Sequence, residues 1–191
     1  MSKVPAKPLR SGSLSPEYAL LGFLIAGQDY GYNLHHKIET ELGWVWHLSQ
    51  SQAYSILKRL ENQVDVSTRL VEQAKHPDRQ VLKITAKGRR RFMHWLKEET
   101  AQNARAIRLE FLTRLYFSNL YTPADTRAIF TAQYGTINRN LERLERLRHE
   151  LPDHQTYNLL SLDLRVRQLK LIREWMEEIS IRFNIPKAVT R

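Results

Sequence analysis

The sequence predicts a mostly α-helical chain with one small β-hairpin, and three observations predict it. Apolar residues recur at threes and fours from residue 15 to residue 61. Between 64 and 84 the period drops to two, and from 85 to 183 it returns to threes and fours.

Ser15-Pro16-Glu17 reads as a helix start: a hydroxyl N-cap, a proline at the first helical position and an acid in the first turn. The helix it opens carries Ala19, Leu20, Phe23 and Leu24 at helical spacing, and Gly27 is expected to end it. A second helix begins at Gly31-Tyr32, aligns Leu34, Ile38 and Leu42 on one face and stops at Gly43. Ser49 is the N-cap candidate of a third, which runs to about Glu61 with Ala53, Ile56, Leu57 and Leu60 inward. Its other side shows Ser51, Gln52, Ser55, Lys58 and Arg59, hydrogen-bonding and cationic side chains that suit a helix laid in a DNA major groove. Val64, Val66 and Leu70 then read as one strand and Gln80 to Ile84 as its partner, with Lys75-His76-Pro77-Asp78-Arg79 as the turn between them. Thr85 caps a fourth helix that points Phe92, Trp95 and Leu96 inward. Three helices, a basic-tipped hairpin and a closing helix make a winged helix-turn-helix.

The remainder is helical. Arg105 to Leu120 turns Ile107, Phe111, Leu112 and Leu115 inward, and Thr122-Pro123 breaks it. Asp125 to Leu151 is a long helix ended by Pro152-Asp153, with Phe130, Tyr134, Ile137, Leu141, Leu144 and Leu151 forming a heptad-like seam. The last helix, from about Asn158 to Phe183, shows a comparable face of Leu162, Val166, Leu169, Met176, Ile179 and Phe183. Two readings of these seams stay open: a helical hairpin within one chain, or a surface on which two chains meet. The expected organisation is a flexible basic arm over 1–14, a winged-helix domain over 15–100 and a coiled-coil-like helical dimerisation domain over 101–191.

Composition narrows the function classes. The 191 residues carry 30 Lys+Arg against 20 Asp+Glu, a net charge of +10 that favours polyanionic partners. The excess clusters between Lys75 and Arg91, where seven basic residues face one acid, Asp78; a solvated face is the plainer reading of such a run. No cysteine is present, which excludes disulfides and thiolate zinc sites. His35 and His36 are adjacent and point about 100° apart on a helix, so they do not share a metal ion. No phosphate loop, nucleophile elbow or His-Glu-x-x-His pattern occurs, so neither an enzyme nor a cofactor is expected. No apolar run nears the ~18 residues of a membrane span, and Met1–Gly12 lacks the apolar core of a signal peptide, so a cytoplasmic protein is expected.

Four segments together carry a resemblance: Tyr18-Ala-Leu-Leu-Gly22; Gly31-Tyr32-Asn-Leu34; Ser49-Gln-Ser-Gln-Ala-Tyr54-Ser-Ile-Leu57-Lys-Arg-Leu60-Glu61; and Leu82-Lys-Ile-Thr85-Ala-Lys-Gly88. In order and spacing, residues 15–97 resemble the reading head of PadR-type transcriptional regulators. Ala53 stands where the family usually has leucine, and Asn62-Gln63-Val64-Asp65 stands where it usually places a glycine. The resemblance implies a recognition helix with Tyr54 in its first turns, and dimers that embrace through a helical arm in the longer, AphA-like members. It also implies release from DNA by small aromatic molecules such as phenolic acids.

The expectation is therefore a homodimeric repressor of a pseudo-palindromic double-stranded operator. Ser49, Ser51, Gln52, Tyr54, Ser55, Lys58 and Arg59 are the expected groove contacts, and Lys75, His76 and Arg79 the expected wing contacts. Trp95, Arg114, Tyr116 and Phe117 form an effector-pocket candidate, against the plainer reading that these aromatics are core. A winged-helix protein-interaction module, or a regulator that works without effector beside a second factor, is the alternative.

Overall fold

The computed structural model describes residues 14–73 and 76–185, with the backbone alone described for 71–73 and 76–79. The order is α1 (Glu17–Ile25), β1 (Asp29–Tyr30), α2 (Gly31–Leu42), α3 (Gln50–Asn62), β2 (Val66–Gln73), β3 (His76–Ile84) and α4 (Ala86–Lys97), then α5 (Ala104–Ala106), a π-helical stretch (Ile107–Phe111), α6 (Leu112–Tyr121), α7 (Pro123–Glu150) and α8 (Thr156–Ser180). Of the expected basic arm, all but Leu14 lies outside the described residues. Among the described residues no helix is long and apolar enough to cross a membrane.

The head is built around α1. Ala19 to Leu24 are buried in succession, so this helix is apolar on every side and packs against α2, α3 and α4. It ends at Ile25 with Ala26 as C-cap, and no glycine among the described residues takes positive φ, so Gly27 lies just past the end and is not a left-handed cap. The sheet order is β1-β3-β2, both pairs antiparallel. β1 was too short, at two residues, to leave a periodic signal.

The hairpin corrects the expected turn. His76 pairs with Gln73 and Arg79 with Val71, so 76–79 belong to β3 and not to a turn, while Lys75 lies outside the described residues. Pro77 is tolerated there because β1 pairs only with Val81 and Leu82, leaving β3 open on that side at residue 77. Val64 is not in the strand either. Its amide donates to Glu61 O and that of Asp65 to Leu60 O, both at 2.9 Å, the bond pattern that closes a helix with a left-handed residue. Val64 is that residue, with φ 60°. It occupies the place where the missing glycine was noted.

The segment from Ile107 to Tyr121 belongs to two cores. Leu109 and Phe117 complete the core of the head, while Ile107, Phe111 and Leu115 join that of the arm. Trp46 Nε1 donates to Thr113 Oγ1 at 2.8 Å and Tyr121 Oη to Gly22 O at 2.9 Å, so one buried and one partly buried polar bond also cross the expected boundary at residue 100. Phe117 sits so close over Gly22 that a Cβ there would meet its ring at 2.4 Å.

α7 and α8 pack on each other within the chain. Ile137, Leu141 and Leu144 are buried together with Leu162, Val166, Leu169 and Met176, and Ile179 and Phe183 pack at the edge. The two seams read from the sequence therefore satisfy each other, which is the first of the two readings, a helical hairpin within one chain.

Candidate nucleic-acid interface

α3 begins with a reciprocal cap: Ser49 Oγ accepts from Gln52 N at 3.3 Å, and Gln52 Oε1 accepts from Ser49 N at 2.9 Å. This fixes the helix start and engages two of the expected contact residues in their own backbone. Ser51 Oγ lies 3.1 Å from Ser49 Oγ, and Ser55 Oγ donates to Ser51 O at 2.9 Å. All four side chains remain exposed. Lys58 is 70 % exposed and reaches Glu61 Oε2 at 2.9 Å, a contact that holds the Glu61 carboxyl below the usual carboxylate range.

Tyr54 is half exposed and its ring lies on Gly31, where a Cβ would meet Cε1 at 2.8 Å. The close approach requires glycine at the start of α2. Tyr30, Tyr32, Asn33, Tyr54, Lys58 and Gln80 line one open groove of about 830 Å³ between α2, α3 and the wing. Tyr32, Asn33 and Gln80 were not among the expected site residues. They come from separate elements, and only the Gly31-Tyr32 motif at the start of α2 pointed toward the groove.

Arg59 turns away from this groove. Its guanidinium donates to Glu17 Oε2 at 2.8 Å and to Ser15 Oγ at 3.3 Å, on the first turn of α1. Glu17 also accepts from Arg91, which bonds Asp65 Oδ2 at 2.5 Å, so α1, α3, the wing base and α4 share one charged network. Of the expected wing contacts, Lys75 lies outside the described residues, and His76 and Arg79 are described by backbone alone, in the distal half of β3.

The effector-pocket candidates form two groups. Arg114, 2 % exposed, lies over the Trp95 ring at 4.8 Å, bonds Thr100 Oγ1 at 2.9 Å and donates to Glu98 O. Tyr18 stacks on Trp95 at 4.3 Å. Tyr116 and Phe117 meet edge to face at 4.9 Å, and Phe92 links Phe117 to Trp95 at 5.5 and 5.9 Å. Burial pulls the Arg114 guanidinium down from its ordinary pKa and pushes the nearby Glu110 carboxyl up. Trp95 Nε1 and Arg114 Nε are buried donors with no acceptor among the described residues. Trp46 is core, whereas Trp44 is 92 % exposed between α2 and α3. His35 is structural: its Nε2 lies 2.7 Å from Leu48 O.

Comparison with known proteins follows the same division of the chain. Residues 20–94 match a family model described as the transcriptional regulator PadR-like family, and residues 107–182 match one described as virulence activator alpha C-term. The negative transcriptional regulator PadR of Bacillus subtilis is 24 % identical over 174 residues, 85 % of this chain and 94 % of that protein. A probable transcriptional regulator of Mycobacterium tuberculosis is 30 % identical over 81 residues, 42 % of this chain and 43 % of its own length. Among solved structures, Bacillus subtilis PadR in complex with operator DNA matches at 24 % identity and a TM-score of 0.44, covering 87 % of this chain and 98 % of its own. The same protein with p-coumaric acid matches at 24 % identity and a TM-score of 0.40, covering 88 % and 98 %.

Proposed function

The chain belongs to the PadR-like family of transcriptional regulators, and from that premise we propose that it is a homodimeric repressor of double-stranded operator DNA released by a small aromatic acid. The observation that carries the reading is the outward flank of α3. Ser51, Gln52, Ser55 and Lys58 stand exposed on a rigidly capped helix beside a groove walled by Tyr32, Tyr54 and Gln80. Short donors and acceptors on such a helix read base edges, and a cation at its margin takes a phosphate. The basic wing supplies further phosphate contacts through Lys75, His76 and Arg79. Repression is the sign carried by the name of the Bacillus subtilis relative.

Dimerisation is supported by a different face from the seams read in the sequence. On α8, Tyr157, Leu160, Leu164 and Leu171 are 87, 61, 57 and 68 % exposed, at spacings of three, four and seven. They form a second apolar row on the side of the helix away from α7, the kind of patch a monomer avoids and a two-fold axis covers with itself. Two heads held by such an arm would read half-sites about 10 bp apart, or a multiple of that.

An aromatic acid is supported by the two buried donors without acceptors, one on an indole and one on a guanidinium. A carboxylate accepts from both the guanidinium and the indole N–H, while the indole ring itself is already covered by Tyr18 and Arg114. Selection of bound DNA from a random pool, with and without a panel of aromatic acids, tests the whole reading: a two-fold-symmetric motif, lost in the presence of one acid, is the expected result. Absence of any enriched sequence overturns it.

A further inference from the structure

The arm carries a cleft outside the surfaces described so far. It encloses about 500 Å³, and its polar walls are Gln102 and Asn103 from the connection into α5, Asn140 and Arg143 from α7, and Arg165 and Gln168 from α8. Helix geometry sets these residues on one flank of the hairpin: 140 and 143 lie to one side of the buried row Ile137, Leu141 and Leu144, and 165 and 168 to the matching side of Leu162, Val166 and Leu169.

The two flanks differ in charge. On the other one, cations and acids pair across the helices, Arg148 with Asp163 at 3.5 Å and Lys170 with Glu145 at 2.8 Å. No carboxylate lines the cleft. Arg143 finds only a neutral oxygen, Asn140 Oδ1, at 3.3 Å from Nε and 2.9 Å from Nη2. Asn103 uses its carbonyl to cap α5 through Ala106 N at 2.9 Å, which leaves its amide hydrogens to donate. The side chains of Gln102, Arg165 and Gln168 have no hydrogen bond or ion pair among the described residues.

Two guanidiniums at one cleft repel each other, and an anion between them turns that cost into attraction. Their planar forks match a carboxylate or phosphate group, and the amides beside them offer donors and acceptors for further oxygens. The volume is that of a small-molecule site. We propose that this cleft binds a small anion that presents a carboxylate or phosphate group together with neutral hydrogen-bonding groups. Such a ligand joins the connection between head and arm to both helices of the hairpin. The site does not depend on the operator reading, nor on the Trp95–Arg114 cluster.

Calorimetric titration of the full chain with citrate and, separately, inorganic phosphate tests this, with ionic strength held constant by chloride. One of the two is expected to bind saturably at one site per chain, which also tells a carboxylate ligand from a phosphate one. Arg143→Gln and Arg165→Gln should each weaken that binding about tenfold or more, the loss of a charge-assisted hydrogen bond. Arg148→Gln, on the paired flank, should leave it unchanged. Two results overturn the proposal: no saturable binding of either anion, or equal weakening in all three variants, which is general screening of a chain of net charge +10. All three side chains are exposed, and circular dichroism checks that each variant keeps its helices.

Discussion

Arg59 Nη2 donates to Glu17 Oε2 at 2.8 Å across 42 residues, and so ties the last turns of α3 to the first turn of α1. A cation one position away from Lys58 is thereby spent on holding the reading head together. Arg59→Ala is expected to lower operator affinity less than Lys58→Ala does. Its stability cost should not exceed about 1 kcal/mol, because the Arg59 side chain is 48 % exposed and solvent screens the pair. Fluorescence anisotropy and urea unfolding of the two variants give the ranking, and the reverse order in affinity would show that Arg59 leaves Glu17 for the DNA.

Lys58→Ala should weaken binding to operator and to unrelated DNA alike, and reduce the slope of log K against log salt by about 0.9, the signature of one lost phosphate contact. Tyr54→Ala removes the ring that covers Gly31 and walls the groove, and is expected to reduce operator affinity while the head stays folded. Wild-type affinity in purified Tyr54→Ala would displace the reading surface from α3.

Val64→Gly should stabilise the protein. A β-branched residue at φ 60° costs roughly 1–2 kcal/mol, and glycine returns up to about 1 kcal/mol of that as unfolded-state entropy. Val64 is 62 % exposed, so little packing is lost. The net expectation is a gain of about 0.5–1 kcal/mol, seen as a higher urea midpoint at unchanged m-value.

In the arm, Leu160→Glu with Leu164→Glu places charges on the exposed row of α8 and should halve the mass seen by light scattering while helicity persists. Leu141→Glu buries an unpaired carboxylate at a site 3 % exposed and should unfold the hairpin instead. A wild-type monomer at micromolar concentration, still binding operator, would end the dimer proposal.

Asp29 supplies a pH dependence. Burial raises its carboxyl, but bonds from Lys37 at 2.7 Å, Asn33 at 2.8 Å and the Tyr30 amide at 2.8 Å outweigh this and hold it below its ordinary value. A carboxyl depressed in the folded state adds stability that is complete above its unfolded pKa, near ~3.9, and is lost as pH falls through the lower folded value. Acid unfolding of Asp29→Asn should therefore show a shallower loss of stability below about pH 4 than that of the wild type.

Element order apart from β1, the capped start of α3 and the alternation of β3 were legible in the sequence because each is a local matter. Ser49 and Gln52 need only the geometry of one helical turn to cap each other, and Leu82 and Ile84 need only the pleat to share a face. The groove-facing set was legible in part: the sequence shows that Ser51, Ser55, Lys58 and Arg59 avoid the buried side of α3, but the position of Glu17 decides that Arg59 is engaged elsewhere. Val64 was hidden for a related reason, since the glycine that normally marks a left-handed turn is absent and valine reads as strand. The arm shows the limit most clearly. Periodicity reveals that α8 has an apolar row at Leu162, Val166 and Leu169, and the structure adds a second at Tyr157, Leu160, Leu164 and Leu171. Which row faces α7 was decided only by tertiary structure, because burial is a property of two surfaces in contact and a single helix carries the pattern of one.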